Sequence, residues 1–345
     1  MHTVGEYLTE SKILGSNGKN AKKLTVKLWA KGVVDKNTIF DGSEHTQYYI
    51  RKSGQLMYGK LDFLNCAFGI VPPELDSYES TLDSPAFDIS NINSNFILNR
   101  IIQKNFYKKN GDIANGSRKA KRIHPDVFLA MELYVPSIYE QNKISCLLEL
   151  IDKKIRLQHQ LIENLKLYKR GVLKYIFSQI KQYKKLYEIC IYQASNNTYS
   201  SISKNNGDYP VYDAAGITTY IDQFDIDKNY ISIIKDGAGV GRLQFCQSNS
   251  SIIGTMGAII PKKCDSYYLY YSLQTVDFRK YIIGSTIPHI YFKDYSNVNI
   301  PFVDKIEQKK ISIVLCKIDQ QIINSSSILI LMNQLKSGLL QQLLI

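Results

Sequence analysis

The chain has 345 residues, 44% of them apolar and 21% charged, with 43 Lys and Arg against 31 Asp and Glu. This length fits two or three domains better than one, and the apolar share excludes pervasive disorder. No apolar run reaches the roughly 18 residues of a membrane-spanning helix. The start, Met1-His2-Thr3-Val4-Gly5-Glu6-Tyr7, has no charged-then-apolar leader, so a cytoplasmic chain without membrane contact is expected.

Residues 1–135 mix short apolar strands with turn signals. Strands are expected at Leu24–Leu28, Gln47–Ile50, Leu56–Tyr58 and Ala67–Val71, and a helix at Asn95–Phe106. Asp41-Gly42, Pro72-Pro73, Asn110-Gly111 and Asn115-Gly116 mark turns. A Gly-Ser turn, Gly116-Ser117-Arg118-Lys119-Ala120-Lys121-Arg122-Ile123, leads toward Asp126-Val127-Phe128, read as the lead-in to a strand. That strand ends at Tyr134-Val135-Pro136.

A long helix is expected over 136–180. Ile144, Leu148, Ile151, Ile155, Gln158, Ile162, Leu165, Lys169, Val172 and Ile176 alternate in steps of four and three, the spacing of a heptad seam. Residues 181–302 then repeat the plan of the first region. Strands are expected at Tyr230–Ile234, Leu243–Phe245 and Gly257–Ile260, and a helix at Tyr267–Arg279. A second Gly-Ser turn, Gly284-Ser285-Thr286-Ile287-Pro288-His289-Ile290, precedes Lys293-Asp294-Tyr295 and Asn299-Ile300-Pro301.

A second long helix is expected over 303–345, with Ile311, Leu315, Ile318, Ile322, Ser325, Leu329, Met332, Lys336, Leu339 and Leu343 on its seam. The two helices are copies. At an offset of 167 residues, the 37 positions from Glu140 to Ile176 show 12 identities, with Gln158/Ser325 and Lys169/Lys336 interrupting both seams at the same steps. Chance would supply roughly two or three. A helix of about 35 residues is about 50 Å long, too long for a compact domain to cover. Its natural cover is its own repeat.

No catalytic constellation emerges. Asp236-Gly237-Ala238-Gly239-Val240-Gly241-Arg242 puts Arg242 where a dinucleotide loop needs its last glycine, and strand residues Leu243-Gln244-Phe245 follow. It reads as a glycine hairpin whose backbone could come near a ligand, flanked by Lys235 and Arg242 as candidate DNA contacts. Gly59-Lys60-Leu61 lacks the hydroxyl of a phosphate-binding loop. The only Pro-Pro, in Val71-Pro72-Pro73-Glu74, is not an amino-methyltransferase motif. Pro125-Asp126 has no acid-x-Lys after it for a metal-dependent nuclease, and the five histidines are scattered. The six cysteines contain no C-x-x-C pair, which argues against zinc and for reduced, mostly buried thiols.

The net charge of +12 points instead to a polyanionic partner. The 25 tyrosines suit wet grooves, although AT-rich coding enriches the same residue types. Lys12, Lys19, Lys22, Lys23, Lys27 and Lys31 crowd the N-terminal stretch. Arg100, Lys104, Lys108, Lys109, Arg118, Lys119, Lys121 and Arg122 crowd the first Gly-Ser turn, where Ser117 also lies, against Asp112 alone. With Lys60, these are candidate phosphate contacts. The second turn offers Ser285, Thr286, His289 and Tyr291, with Lys293 beside them; these types suit base edges and backbone oxygens.

The matched helix starts (Pro136…Glu140-Gln141…Ile144 and Pro301…Glu307-Gln308…Ile311), the Ile151-Asp152 and Ile318-Asp319 pairs, the ends Lys169-Arg170-Gly171-Val172-Leu173 and Lys336-Ser337-Gly338-Leu339-Leu340, and the paired Gly-Ser turns together resemble the specificity subunit of type I restriction–modification systems. The resemblance covers essentially the whole chain. It implies an α+β architecture, with target-recognition domains at 1–135 and 181–302 alternating with spacer helices at 136–180 and 303–345. The helices would pair as an antiparallel coiled coil. It further implies a non-catalytic reader of a bipartite, gapped double-stranded DNA target. Two methyltransferase subunits and translocating endonuclease subunits would bind it, and would alone carry S-adenosylmethionine, ATP and Mg. Readers at the ends of a rod about 50 Å long would sit somewhat more than one DNA turn apart. Two other readings stay open: a coiled-coil scaffold joining two protein-binding modules, and the recognition subunit of a related two-sided-cutting restriction system.

Overall fold

The computed structural model describes residues 1–36, 43–111, 122–202 and 207–344. It divides into two units, Met1–Leu157 with Leu329–Ile345, and Gln158–Ile328.

The first unit is built on a four-stranded antiparallel sheet in the order Leu8–Ser11, Ala86–Ile89, Leu56–Tyr58, Phe68–Ile70. The central strand Leu56-Met57-Tyr58 is wholly buried. On it rests an aromatic core in which Tyr58 stacks on Phe87 and meets Phe128 at 4.8 Å. The second unit has the same order: Cys190–Ala194, Met256–Pro261, Tyr230–Ile234, Leu243–Cys246. Its central strand Tyr230-Ile231-Ser232-Ile233-Ile234 is buried throughout, as a β-rich apolar run requires when both faces are covered. Each domain is closed at its base by a two-stranded ladder, His2–Thr3 with Glu132–Leu133 in one and Tyr183–Lys185 with Asn299–Pro301 in the other.

A short helix follows each sheet, Ser94–Ile101 and Ser266–Leu273, capped by the side chains of Asn93 and Asp265. Both stop earlier than the sequence suggests. In the first unit the carbonyls of Asn95 and Asn99 accept from the side-chain amides of Asn99 and Gln103. Such local bonds compete with helix continuation, and a separate helix forms over Lys104–Gly111. In the second, Thr275 donates to the Ser272 carbonyl, and Asp277 caps a new 3-10 turn at Phe278–Tyr281. Asp126-Val127-Phe128 and Lys293-Asp294-Tyr295 are not strand lead-ins. They lie in helical turns, Pro125–Leu129 and Phe292–Tyr295, the first opened by a proline at its first position. The true strands begin a few residues later. Asn110-Gly111 closes a helix, while Asp41-Gly42 and Asn115-Gly116 lie outside the described residues.

The long helices run Ile138–Gln179 and Lys305–Leu343. In the first, Ser137 and Glu140 form a capping pair; in the second, Asp304 accepts from the amides of Ile306 and Glu307. Every seam position from Ile144 to Ile176 and from Ile311 to Leu343 is buried or half-buried. The helices pair antiparallel. Within the second unit, Gln158 donates to the Ser325 carbonyl at 2.9 Å and Lys169 meets Asp319 at 2.7 Å. Leu173, Phe177, Leu315 and Ile318 share one core there. Within the first unit, Lys336 meets Asp152 at 2.5 Å, and Leu148 packs with Leu340 and Leu344.

Cys66, Cys190 and Cys246 are buried and Cys146 is exposed. Burial pushes the thiols of Cys66 and Cys246 up to about 11 and that of Cys190 up to about 12, which suppresses the reactive thiolate. Brief treatment of the native chain with N-ethylmaleimide is expected to modify Cys146 first, while those three react only after unfolding. Peptide mass mapping checks this.

Candidate nucleic-acid interface

In the second unit, two loops meet at one end of the sheet. The first joins the strands Tyr230–Ile234 and Leu243–Cys246 through Gly237, Gly239 and Gly241, all with φ between 84° and 89°. Only glycine takes that conformation freely, so the motif is a hairpin turn. The second is the Gly-Ser turn. Gly237 donates to the Pro288 carbonyl and Ile290 to the Lys235 carbonyl, each at 2.9 Å, while Ile283 and His289 exchange a pair of backbone bonds. Lys235 and His289 are thereby neighbours.

The Lys235 ammonium lies 3.6 Å from Asp236, and the exposed Arg242 donates to the Ala214 carbonyl. Ser285 and Thr286 are exposed on the turn. His289 sets its ring edge against Tyr291 at 5.1 Å, and the Lys293 ammonium lies 5.5 Å from the centre of the Tyr291 ring. The predicted residues of this half thus form one polar, cationic edge.

The first unit repeats the juncture. Ile123 donates to the Lys60 carbonyl at 3.2 Å. Ile123 and Ile290 are related by the 167-residue offset, so Lys60 and Lys235 hold corresponding places. They differ in access, for Lys60 is only 9% exposed. Arg122 is exposed, its guanidinium 3.9 Å from Asp83. Lys104, Lys108 and Lys109 project to solvent from the helix Lys104–Gly111. Arg100 is half-buried, donates to Asn105 at 3.3 Å, and lines a cleft of about 800 Å³ with Lys109, Met131 and Tyr134. Burial lowers its affinity for its proton. Arg122 is not among the residues that line this cleft. Ser117, Arg118, Lys119 and Lys121 lie outside the described residues.

The repeat also contains two polar positions whose role is visible only in three dimensions. Gln141 accepts from the Asn93 amide at 2.9 Å and donates to the Pro136 carbonyl, while Ser145 donates to the Asn93 side chain at 2.8 Å. At the same offset, Gln308 accepts from the Asp265 amide and donates to the Val303 carbonyl, and Ser312 donates to the Asp265 carboxylate at 2.7 Å. Each long helix therefore clamps the cap of its domain's short helix. The identities at these positions were readable in the sequence, but the seam pattern singles out apolar residues alone.

Among the described residues no cluster of His, Cys, Asp and Glu could hold a metal ion, and no helix is long and apolar enough to cross a membrane. The family model described as "Type I restriction modification DNA specificity domain" matches residues 180–331. A type I restriction enzyme MjaVIII specificity subunit from Methanocaldococcus jannaschii is 28% identical over 122 residues, which span 34% of this chain and 28% of that relative. The crystal structure of a type I restriction–modification S subunit from M. genitalium matches with a TM-score of 0.65 and 13% identity, covering 99% of this chain and 95% of that one. The HsdS subunit from Thermoanaerobacter tengcongensis matches at 0.52 and 16% identity with the same coverage. A chain from a structure addressing complex assembly and conformational transition of a type I system matches at 0.61 and 16%, covering 99% and 96%. At these identities the structural likeness is one of fold. A specificity-domain model thus matches the second half of the chain, the first half repeats the strand order of that half's sheet, and the fold is that of type I restriction–modification S subunits along the whole chain.

Proposed function

We propose that this chain reads a bipartite, gapped sequence in double-stranded DNA, one half-site per domain, as the non-catalytic recognition subunit of a cytoplasmic type I complex. The observation that carries the reading is the duplicated juncture. Lys60 with Arg122, and Lys235 with His289, stand at corresponding places at the ends of two sheets of identical order. One juncture made twice, presented to solvent by Arg122 in the first domain and by Lys235 and His289 in the second, suits a target read in two parts.

The partners follow from the outer surface of the helices. Leu147, Leu161 and Tyr168 are exposed, and so are Val314, Ile328 and Leu335, their counterparts at the 167-residue offset. Apolar surface repeated in this way supports two copies of one partner. We assign those places to two methyltransferase subunits, with translocating endonuclease subunits joining them. S-adenosylmethionine, ATP and Mg then belong to those partners.

Co-expression with a methyltransferase subunit, followed by adenine-methylation mapping, tests the reading. A split motif with a fixed gap is the expected result; methylation without such a motif in an active complex overturns it. Lys235→Ala or Arg242→Ala is expected to weaken binding across sequences without shifting Tm. Removing one cation from a phosphate lowers the log–log salt slope by about 0.9. Fluorescence anisotropy across a salt series measures that slope.

A further inference from the structure

The first unit carries a two-stranded ribbon, Leu24–Val26 paired with Val33–Asp35, whose tip holds the only tryptophan of the chain. The inner residues Leu24, Val26 and Val33 are buried beneath Met57, Val71 and Leu75. The tip is the reverse. Trp29 is 58% exposed, Leu28 beside it is 38% exposed, and both flanking lysines, Lys27 and Lys31, are exposed.

The tip is held stiffly. Trp29 and Ala30 both have left-handed backbones, with φ of 61° and 53°, a conformation that costs a residue with a Cβ atom and persists only where its surroundings impose it. Those surroundings are visible: Trp29 donates to the Asn65 carbonyl at 2.9 Å, Ala30 to the Cys66 carbonyl at 2.7 Å, and Lys27 to the Gly32 carbonyl at 2.9 Å. Gly32 presses so closely on Gly69 that a Cβ there would lie 2.9 Å from it. A fold seeking stability alone would place glycine at Trp29 and bury the indole elsewhere.

The anchor also says where the tip points. Asn65 and Cys66 belong to the turn Gly59–Ala67, closed by a bond from Gly59 to Ala67, and this turn carries Lys60 and receives Ile123. The tryptophan therefore stands on the same loop end as Arg122. Lys22 and Lys36 are exposed at the base of the ribbon, where Lys36 donates to the Lys23 carbonyl.

We infer that Trp29 is a specificity-determining probe of the first domain, pressed against base or sugar edges of duplex DNA while Lys27 and Lys31 hold phosphates on either side. A two-stranded ribbon fits the major groove, where apolar side chains contact the thymine methyl. The inference rests on the DNA-reading function proposed above and names a residue for it.

The test uses the full chain with a duplex carrying the methylated motif and a scrambled duplex of equal length. Trp29→Ala is expected to bind the motif duplex about ten- to a hundredfold more weakly, the scale of losing one good base contact in a duplex. Trp29→Phe should retain most of the affinity. Trp29→Gly should lose it while melting at or above the wild-type temperature, because glycine relieves the backbone. Since the chain has one tryptophan, its emission should quench or shift as the motif duplex saturates. Unchanged affinity in Trp29→Ala, or unmoved emission at saturation, overturns the inference. Failed methyltransferase assembly with intact DNA binding also overturns it, in favour of a protein-docking tip. If the wild-type chain binds neither duplex, the DNA-reading function itself fails and the inference falls with it.

Discussion

Ile318→Asp is expected to separate the long helices within the second unit and to cost about 4 kcal/mol or more, because an unpaired carboxylate would enter an apolar core. Ile318 is 6% exposed and shares its cluster with Leu173, Phe177, Tyr268, Tyr271 and Leu315. The site cannot rescue the charge. The nearby ammonium of Lys169 already holds Asp319, which also accepts from the Tyr271 hydroxyl at 2.8 Å. Burial and that carboxylate keep the Tyr271 hydroxyl protonated, so it stays a donor. Leu148→Asp, 1% exposed against Leu340 and Leu344, is expected to do the same in the first unit. Denaturant titration measures the loss, and co-purification reveals whether the proposed methyltransferase partner is retained. Leu161→Asp is the control, since Leu161 is 45% exposed. It should leave stability nearly unchanged yet weaken partner binding. Full stability and full assembly in Ile318→Asp would contradict the inward assignment of the seam.

Gln308→Ala is the second large effect. Gln308 is fully buried, and its amide serves two backbone groups, the Asp265 N–H and the Val303 carbonyl. Truncation leaves both without their partner, at about 2–3 kcal/mol. Asp265 caps the helix Ser266–Leu273, so the loss loosens the seating of that helix on the long one. The expected signature is faster hydrogen exchange in 265–273 with the central sheet still protected, and relaxed methylation specificity at one half-site. Gln141→Ala, 2% exposed and bonded to the Asn93 amide, should produce the corresponding effect in the first domain. Ser312→Ala removes only the bond to the Asp265 carboxylate, costs about 1 kcal/mol, and should couple with Gln308→Ala in a double-mutant cycle.

The legible parts of the fold were those written in local pattern. Tyr230–Ile234 and Leu56–Tyr58 are mostly apolar runs that read as strands, and the structure makes them buried strands inside their sheets. Strands such as Leu8–Ser11 and Tyr209–Asp213 carry no such signal, one holding Thr9, Glu10 and Ser11 and the other a proline. Their order comes from pairing with distant strands rather than from their own composition. The candidate edge is written as residue types in the second half; in the first, charge marks Lys60 but the fold covers it.

The duplication itself is a property of the sequence, because chemistry preserved at a constant offset survives without any knowledge of shape. Lys169 matches Lys336, and Asp152 matches Asp319. What only the tertiary structure decided is who meets whom. The helices run in opposite directions, so each lysine finds the aspartate of the other copy, Lys169 with Asp319 and Lys336 with Asp152, while matched residues touch where Gln158 reaches Ser325. An alignment compares positions in parallel, whereas antiparallel packing pairs them in reverse, and the crossed lysine–aspartate pairs exist only in that orientation.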